Sequence, residues 1–410
     1  MLNIKEKTKC CGCGACAQIC SKNAIAMQAD SEGFYYPVVD KNKCIKCGLC
    51  VKTCPILNKP VTYRILRTYA AKHKSNDIKL KSSSGGIFTA LAETILKNNG
   101  VVFGAAFDKD WNVVHTYVDN LKDLDKLRRS KYVQSDTAET FKQTKEFLEK
   151  GKQVLYAGTS CQIAGLRNFL GKDYDNLLTV DIICHAVPSP AVWQKFLREN
   201  LDISEIKAIN FREKDIGWSN FYLSFLTPHG LNAHGKNKTL LEALHFKLRA
   251  VAAAVVYRNT YLKAFLTELI NRPSCHECYF KGITRLADFT LGDLWGIWPG
   301  IIKRQDKKYG ISVCLVNTEK GIKYFTKVNT ILSFQHIALN QVAKFNSALI
   351  KSTEANPKRK EFFVRYKTEN FNKLVKELLK LKPLWLSIPH QIVGKFFGKI
   401  RILWKRVVKI

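Results

Sequence analysis

A four-cysteine run with fixed spacing occurs twice near the amino terminus, and it constrains this chain more than any other feature. The first run, in residues 10–20, reads C-x2-C-x2-C-x3-C. The second, in residues 44–54, has the same spacing and is followed by Pro55. Gaps of two residues place three thiolates on one tight loop, and glycines inside both runs let the backbone approach the group that the sulfurs bind. The sequence therefore predicts two metal centres built from one short segment.

The doubled run is typical of bacterial two-cluster ferredoxins, in which the fourth cysteine of each run reaches the other cluster. Cluster one is assigned to Cys10, Cys13, Cys16 and Cys54. Cluster two is assigned to Cys44, Cys47, Cys50 and Cys20. Cys11 is surplus, so a one-residue slip of ligands stays open. Tetrahedral zinc is the alternative for Cys-x2-Cys pairs, but the three-residue last gap in both runs favours [4Fe-4S] clusters.

The composition indicates a globular protein of the cytoplasm. Hydrophobic residues make up 46% of 410, enough for two or three packed domains and too many for a mainly disordered chain. Nine of the 14 cysteines fall in residues 10–54, and the start MLNIKEKTKC has no apolar secretory stretch, so metal is favoured over disulfides. No apolar run reaches the roughly 18 to 20 residues of a membrane-spanning helix.

The chain after a linker near residues 58–67 alternates β-rich runs with helical segments, which predicts an α/β or α+β layer structure. Strands are predicted at Val101–Phe107, Asn112–Val118, Gln153–Ala157, Leu177–Cys184, Ile206–Phe211, Phe221–Leu226 and Ile311–Val316. Helices are predicted at Gly86–Lys97, Thr137–Lys150, Cys161–Leu170, Pro190–Glu199, Asn259–Ile270 and Glu319–Val328. We thus expect a ferredoxin module in residues 1–60, a mixed-sheet domain in 61–350 and a basic helical tail in 351–410.

A small polar loop opens the first of these helices. Ser83, Ser84, Gly85 and Gly86 lead directly into the apolar-periodic stretch IFTALAETIL. Free backbone N–H groups and the helix dipole make such a start an anion cradle, suited to the pyrophosphate of a nucleotide or the phosphate of a flavin. A serine-capped surface helix is the alternative.

Five further motifs follow in order along the central domain. They are RSKYVQS at 129–135, AGTSCQ at 157–162, DIICH at 181–185, RPSCHEC at 272–278 and ADFTLGDLWG at 287–296. Together they resemble the coenzyme F420 hydrogenase/dehydrogenase beta-subunit family over roughly residues 68–316. Two positions depart from the family pattern, with Ser160 where Pro is usual and Ala186 where Gly is usual.

The resemblance implies a flavin, normally FAD, and in many members a further iron–sulfur cluster. The ligands implied for this third [4Fe-4S] cluster are Cys161, Cys184, Cys275 and Cys278. Buried, inert thiols are the alternative for Cys161 and Cys184. Cys314 lies in an apolar strand and is expected in the core.

Several other side chains are candidates for the flavin site or for proton transfer. Lys131 could stabilise the negative charge of a reduced flavin, or be a surface lysine. Asp288 and Asp293, placed on a Gly-Asp turn after a strand-like run, are expected to shape the flavin site or to close that turn. His185 and His276 adjoin proposed ligands and are either proton shuttles or structural histidines.

An iron–sulfur cluster carries single electrons, whereas a flavin accepts hydride. Placed side by side, the two cofactors convert two-electron transfer into one-electron transfer. We therefore expect an oxidoreductase that connects a redox partner such as ferredoxin to a small-molecule substrate or a deazaflavin coenzyme, in either direction. The resemblance extends to bacterial relatives encoded among genes for cell-surface polysaccharide assembly. The alternative is a non-catalytic subunit that hands electrons to a partner enzyme.

The positive charge is concentrated at the carboxyl end. The formal net charge is +32, and residues 358–410 hold 15 Lys and Arg against three Asp and Glu. Residues 392–410, IVGKFFGKIRILWKRVVKI, separate Phe, Leu and Trp from Lys and Arg on a helical projection. This pattern predicts an in-plane anchor on an anionic membrane surface, with a helix docked on the protein as the alternative. Nucleic acid is not the expected partner, since it would require a groove of Lys, Arg and aromatic residues outside the tail and an affinity that falls steeply with salt.

Overall fold

The computed structural model describes residues 6–215, 217–228, 230–232, 259–296, 300 and 306–381. Its strands are β1 Ile25–Ala29, β2 Tyr35–Val39, β3 Tyr63–Arg64, β4 Arg67–His73, β5 Val101–Phe107, β6 Val113–Val118, β7 Val154–Gly158, β8 Leu177–Ile182, β9 Ala208–Glu213, β10 Tyr222–Thr227, β11 Gly230–Asn232, β12 Thr284–Arg285, β13 Phe289–Asp293, β14 Ser312–Val316 and β15 Leu332–His336. Its helices are α1 Ala15–Gln18, α2 Leu49–Thr53, α3 Asn76–Leu80, α4 Ile87–Lys97, α5 Thr140–Glu149, α6 Ser160–Leu170, α7 Pro190–Asn200, α8 Thr260–Leu266, α9 Asp306–Tyr309, α10 Glu319–Val328, α11 Leu339–Phe345, α12 Ser347–Ile350, α13 Arg359–Arg365 and α14 Phe371–Leu378.

A mixed sheet of eight strands organises the central domain, in the order β15-β4-β14-β13-β8-β7-β5-β6. The four middle strands, β13, β8, β7 and β5, pair in parallel, and the outer strands pair antiparallel. Parallel strands are covered on both faces, which explains why β5, β7 and β8 read as continuous apolar runs in the sequence. The predicted mixed α/β fold is confirmed.

Alternation along the strands sends their side chains into two separate cores. Val102, Leu155 and Leu178 pack beneath α4 and α10, whereas Phe103 and Tyr156 pack beneath α5 and α6 on the opposite face. The two-residue period of a strand requires this division. As a result, α6 and the end of β8 lie on the side of the sheet that receives the amino-terminal module.

The amino-terminal module consists of α1, the antiparallel β1–β2 hairpin and α2, and it packs against α5 and α6. The approach to α6 is close, because a Cβ added to Gly165 would lie 2.9 Å from the Cys13 Sγ atom. The Thr137 hydroxyl donates to the Cys13 carbonyl oxygen over 2.9 Å in a buried hydrogen bond. The module is therefore docked on the central domain as well as tethered to it.

A third core lies around the buried Trp193 of α7. It includes side chains of α8, α13 and α14 and of the antiparallel strands β9 and β10, and Phe225 of β10 is almost fully buried. Phe362 and Phe371 belong to this core and are fully buried. The predicted boundary at residue 350 therefore does not separate a tail from the domain, because α13 and α14 supply aromatic side chains that the domain buries. Residues 382–410, with the predicted membrane anchor, lie outside the described residues.

All seven predicted strands and all six predicted helices correspond to observed elements, with ends that differ by at most four residues. Three strands of the central sheet, β4, β13 and β15, were not among those predicted. Asp293 does not lie on a turn, since it is the last residue of β13 and pairs with Ser312. Within the described ranges, no helix combines the length and apolarity needed to cross a bilayer.

Candidate metal and cofactor sites

The four cysteines assigned to cluster two line one cavity of the module, and we call them the outer set: Cys20, Cys44, Cys47 and Cys50. Gly48 precedes α2 with a φ of 79°, a left-handed conformation that turns the loop sharply before Cys50. Cys47 is exposed to solvent, while Cys50 is buried. The structure therefore places cysteines of both runs around one cavity.

The four cysteines assigned to cluster one, the inner set, are all buried: Cys10, Cys13, Cys16 and Cys54. Burial, reinforced by Cys10 and Cys54, raises the pKa of Cys16 to about 12. A thiol so reluctant to ionise becomes a thiolate when a cationic metal centre compensates the charge. Burial and mutual proximity thus suit these side chains to an iron–sulfur cluster.

The four cysteines of the central domain also converge, and we call them the third set: Cys161, Cys184, Cys275 and Cys278. They come from the first turn of α6, the segment after β8 and the loop that follows Arg272, and together they line a second cavity. Burial raises the pKa of Cys184 to about 12 even though the Lys281 cation lies nearby. In the described part of the chain, no three His, Cys, Asp or Glu side chains are arranged to hold a single metal ion. The four thiols instead surround a cavity, which suits a cluster of several atoms.

Cys11 joins the inner set to the third set, a role that the spacing of the cysteines did not reveal. Its side chain lines the same cavity as the third set, and it packs in the same apolar cluster as Cys13 and Cys161. The cysteine that is surplus in the sequence therefore lies between two candidate clusters. Adjacency to Cys10 could not predict this, because the contact depends on how α6 docks on the module.

Arg272 is the second functional residue that sequence reasoning missed, and it is completely buried. Its guanidinium donates to the Cys10 carbonyl oxygen over 2.9 Å, to Gln134 over 2.9 Å and to the Tyr35 carbonyl oxygen over 3.0 Å. Its own carbonyl oxygen accepts the N–H of Cys275 over 3.0 Å. One residue thus holds the inner loop and the third set in a fixed relation.

The predicted anion cradle lies at the start of α4. Gly86 has a φ of 88° and precedes a helix whose amino terminus no side chain caps. Ser83 accepts the N–H of Ser130 over 2.7 Å, while Ser84 donates to the Ile311 carbonyl oxygen over 2.8 Å. A Cβ on Gly85 would lie 2.5 Å from the Ala71 carbonyl oxygen. The loop is therefore held rigidly, and the N–H groups of the first helical turn have no side-chain cap, which is the chemistry that a phosphate site at a helix amino terminus uses.

Asp293 lies in a polar cluster that connects to this loop through α3. It pairs with the buried Arg212 over 2.6 Å and accepts the indole N–H of Trp218 over 2.8 Å. Lys214 donates to the carbonyl oxygen of Lys79 in α3 over 2.6 Å, and burial together with the Arg212 cation lowers its pKa to about 7. Sequence reasoning missed Arg212 and Lys214, although charged residues within the apolar strand β9 and its extension were a usable signal.

Two predicted flavin residues have other contacts. Lys131 donates to the carbonyl oxygens of Lys126 and Arg128, and burial lowers its pKa to about 7. The Lys131 ammonium therefore stabilises the loop to which Lys131 belongs. Asp288 accepts from the N–H and hydroxyl of Thr179 and from the Thr318 hydroxyl, so both carboxylate oxygens join β8 to the start of α10. Asp288 and Asp293 flank opposite ends of β13, so the structure does not bring these carboxylates together.

The two candidate histidines meet at one buried carboxylate. His185 Nε2 lies 2.5 Å from Glu268 Oε1, and His276 Nδ1 lies 4.0 Å from Glu268 Oε2. His276 Nδ1 also lies 3.1 Å from the Thr353 carbonyl oxygen. His185 lines the cavity of the third set. His185 thus belongs to the wall of this site, and His276 is connected to it through Glu268.

The fold and the cysteine sets define an iron–sulfur protein of the oxidoreductase type, and comparison with known proteins gives its family. Two profiles describe the "Coenzyme F420 hydrogenase/dehydrogenase, beta subunit": the one for its carboxyl terminus matches residues 151–376, and the one for its amino terminus matches residues 68–142. A "4Fe-4S dicluster domain" profile matches residues 9–57. The chain belongs to the coenzyme F420 hydrogenase/dehydrogenase beta-subunit family.

Two individual proteins are similar to this chain. A coenzyme F420-dependent sulfite reductase of Methanocaldococcus jannaschii is 28% identical over 167 residues, which is 40% of this chain and 26% of that protein. The match therefore spans about a quarter of the relative. A chain of the F420-reducing [NiFe] hydrogenase complex of Methanosarcina barkeri aligns with a TM-score of 0.46 and 18% identity, over 73% of this chain and 98% of the other.

Proposed function

We propose that this chain is an iron–sulfur, flavin-dependent oxidoreductase that connects a one-electron donor or acceptor to a small substrate or a deazaflavin coenzyme. The observation that carries the proposal is the close packing of the module on the central domain, where the Cys13 Sγ atom lies against Gly165 of α6 and Cys11 lines the cavity of the third set. The two cysteine sets of the module alone would make a ferredoxin. A third set of thiols in contact with them makes a route into the domain that holds the candidate flavin loop.

The ligands that we propose follow the three sets. The inner set and the outer set would each hold one [4Fe-4S] cluster, and the third set would hold another. Lys281 lines the cavity of the third set and adds positive charge, whereas the charge of Arg285 in the same wall is compensated by Asp181. Cations beside a cluster favour its reduced form, because reduction adds negative charge.

The start of α4 and the Asp293 cluster are the residues that we propose for the flavin. Ser83, Ser84, Gly85 and Gly86 would hold its phosphate at the helix amino terminus, as the uncapped first turn supports. Arg212 and Asp293, which pair with each other, would contribute polar groups near the site. When bound, a flavin exchanges an electron pair with a substrate and single electrons with iron–sulfur clusters. FAD is the form that the family resemblance favours, and a sugar-linked or lipid-linked substrate is proposed on the same ground.

A second candidate function is that of an electron-transfer subunit without a substrate of its own. The match to the sulfite reductase supports it, because the matched region makes up only 26% of that longer protein. In this case the third set would pass electrons to a partner enzyme. Turnover of a small substrate by the isolated protein would contradict this second function, whereas reduction of a protein acceptor alone would support it.

The test of the proposal is anaerobic purification of the full chain with iron, sulfide and flavin measured per polypeptide. We expect about twelve irons and one flavin, since three cubanes carry four irons each. A measured content of about eight irons per chain would exclude the third cluster. Zinc in place of iron, or a preparation without flavin that takes up none on reconstitution, would contradict the proposal.

A further inference from the structure

A cationic rim with an apolar centre surrounds the outer set. Ile45 and Leu49 are 61% and 42% exposed, and both line the cavity of that set beside the exposed Cys47. Lys22 and Lys46 line the same cavity and are exposed. We define these five residues as the rim.

The charge of this region is one-sided. Residues 40–59 contain five lysines and a single acidic residue, Asp40. Asp40 lies 3.7 Å from Lys43, whereas Lys22 and Lys46 pair with none of the carboxylates in the described ranges. These cations are therefore available to a partner, and the partner that they attract is acidic.

The chemistry of the outer set restricts the partner further. A [4Fe-4S] cluster exchanges one electron at a time, so a hydride donor cannot serve it directly. Ile45, Leu49 and Cys47 lie at the surface, which suits contact with the face of another protein. Weak redox encounters of this kind bury little surface and depend on charge for their speed.

We propose that the rim is the docking surface for an acidic, one-electron carrier protein of the ferredoxin class, and this rests on the function proposed above. In the step, one electron leaves the reduced centre of the carrier and reduces the outer cluster by one electron. No bond forms or breaks. The arrangement also sets the order in which electrons would pass between the sites. The outer set faces solvent, whereas the inner set is buried beside Cys11 and the third set.

The test is anaerobic stopped-flow mixing of the oxidised full chain, with its clusters in place, and an acidic bacterial two-cluster ferredoxin reduced beforehand. The rim variant carries Lys22→Glu and Lys46→Glu. The control variant carries Lys323→Glu and Lys327→Glu, two exposed positions on α10, which covers the opposite face of the central sheet. Both variants change the net charge equally.

At low salt we expect the second-order rate constant of cluster bleaching to fall tenfold or more in the rim variant and less than twofold in the control. Lys22→Arg with Lys46→Arg should keep the wild-type rate, and added salt should remove the difference between wild type and rim variant. Equal losses in the rim and control variants, or no loss in the rim variant, would overturn the proposal. Binding of single-stranded DNA by the rim, together with an unchanged ferredoxin rate in the rim variant, would also overturn the proposal.

Reduced methyl viologen separates this inference from the proposed function, because a small dye does not need a docking surface. Wild type and both variants should be reduced by the dye at the same rate. If the dye bleaches all three proteins and the ferredoxin rates do not differ, the docking surface is refuted and the proposed function stands. If the dye bleaches no cluster in the wild type, the proposed function itself fails.

Discussion

Replacing Arg272 by Met should release the amino-terminal module from the central domain. The substitution keeps an unbranched side chain but removes the donors to Cys10, Gln134 and Tyr35. It also removes the guanidinium that lies 4.2 Å from the centre of the Tyr36 ring. Since Arg272 is fully buried, water cannot replace these contacts in the closed structure.

The magnitude follows from the network. A hydrogen bond from a charged donor contributes about 1.5–3 kcal/mol, and such contributions are not additive within one network. Each buried acceptor left without a donor costs about 1–3 kcal/mol, and the three acceptors of one network together cost about 3–5 kcal/mol because their contributions overlap. Opening of the module should therefore be populated roughly 10²- to 10⁴-fold more in the variant.

Hydrogen exchange measured by mass spectrometry reports this opening directly, in peptides from residues 6–58. We expect faster exchange there in Arg272→Met and unchanged exchange in β5, β7 and β8. Arg365→Met is the matched control, because Arg365 is partly exposed and pairs with Glu361 and Glu369 on α13 and just after it. Hydrogen exchange in the module of Arg365→Met should equal that of the wild type. Wild-type protection of the module in Arg272→Met, with its iron content intact, would refute the reasoning.

Three further predictions follow from other contacts. Cys11→Ala should keep about twelve irons per chain but slow the reduction of the third cluster by the inner one, as measured by freeze-quench EPR. Cys11→Ser is the control for this substitution. An unchanged rate of electron transfer to the third cluster in both variants would show that Cys11 has no role in that transfer. Burial lowers the pKa of His115 to about 4 from 6.5, so the unfolded chain takes up a proton that the folded chain resists. His115 should therefore destabilise the fold by about 3 kcal/mol as the pH falls from 6.5 to 4. Urea titrations of His115→Gln should show a flatter pH dependence over that range, and identical slopes would contradict it. A chain truncated after Lys382 should lose sedimentation with anionic vesicles, and equal pelleting of both chains would exclude the membrane anchor.

Local sequence patterns were sufficient to predict the features that depend on residues close together in the chain. The cysteine spacing predicted which thiols gather in the module, because the tight loops bring nearby cysteines of one run to one centre. The apolar runs of β5, β7 and β8 predicted buried strands for the same kind of reason. By contrast, β15 was not predicted, because it is an edge strand whose exposed residues interrupt the apolar pattern.

Side-chain roles were harder to predict than elements. Asp288 and Asp293 occur in one motif, yet β13 extends between them and sends them to different sites. Lys131 has the right charge for a flavin site, but its loop folds back so that its ammonium is used by nearby carbonyl oxygens. Motif membership thus located a region of the fold without determining the direction of a side chain.

The sequence by itself determined the mixed α/β fold and the family, since these depend on short-range patterns or on ordered motifs, and its cysteine spacing predicted the two ligand sets of the module. Tertiary structure alone decided that Cys11 lies between two cysteine sets and that Arg272 connects Cys10 to Cys275, residues 265 positions apart in the chain. The physical reason is that docking of the module on α6 brings distant segments together, and no local periodicity encodes the relative placement of two packed surfaces.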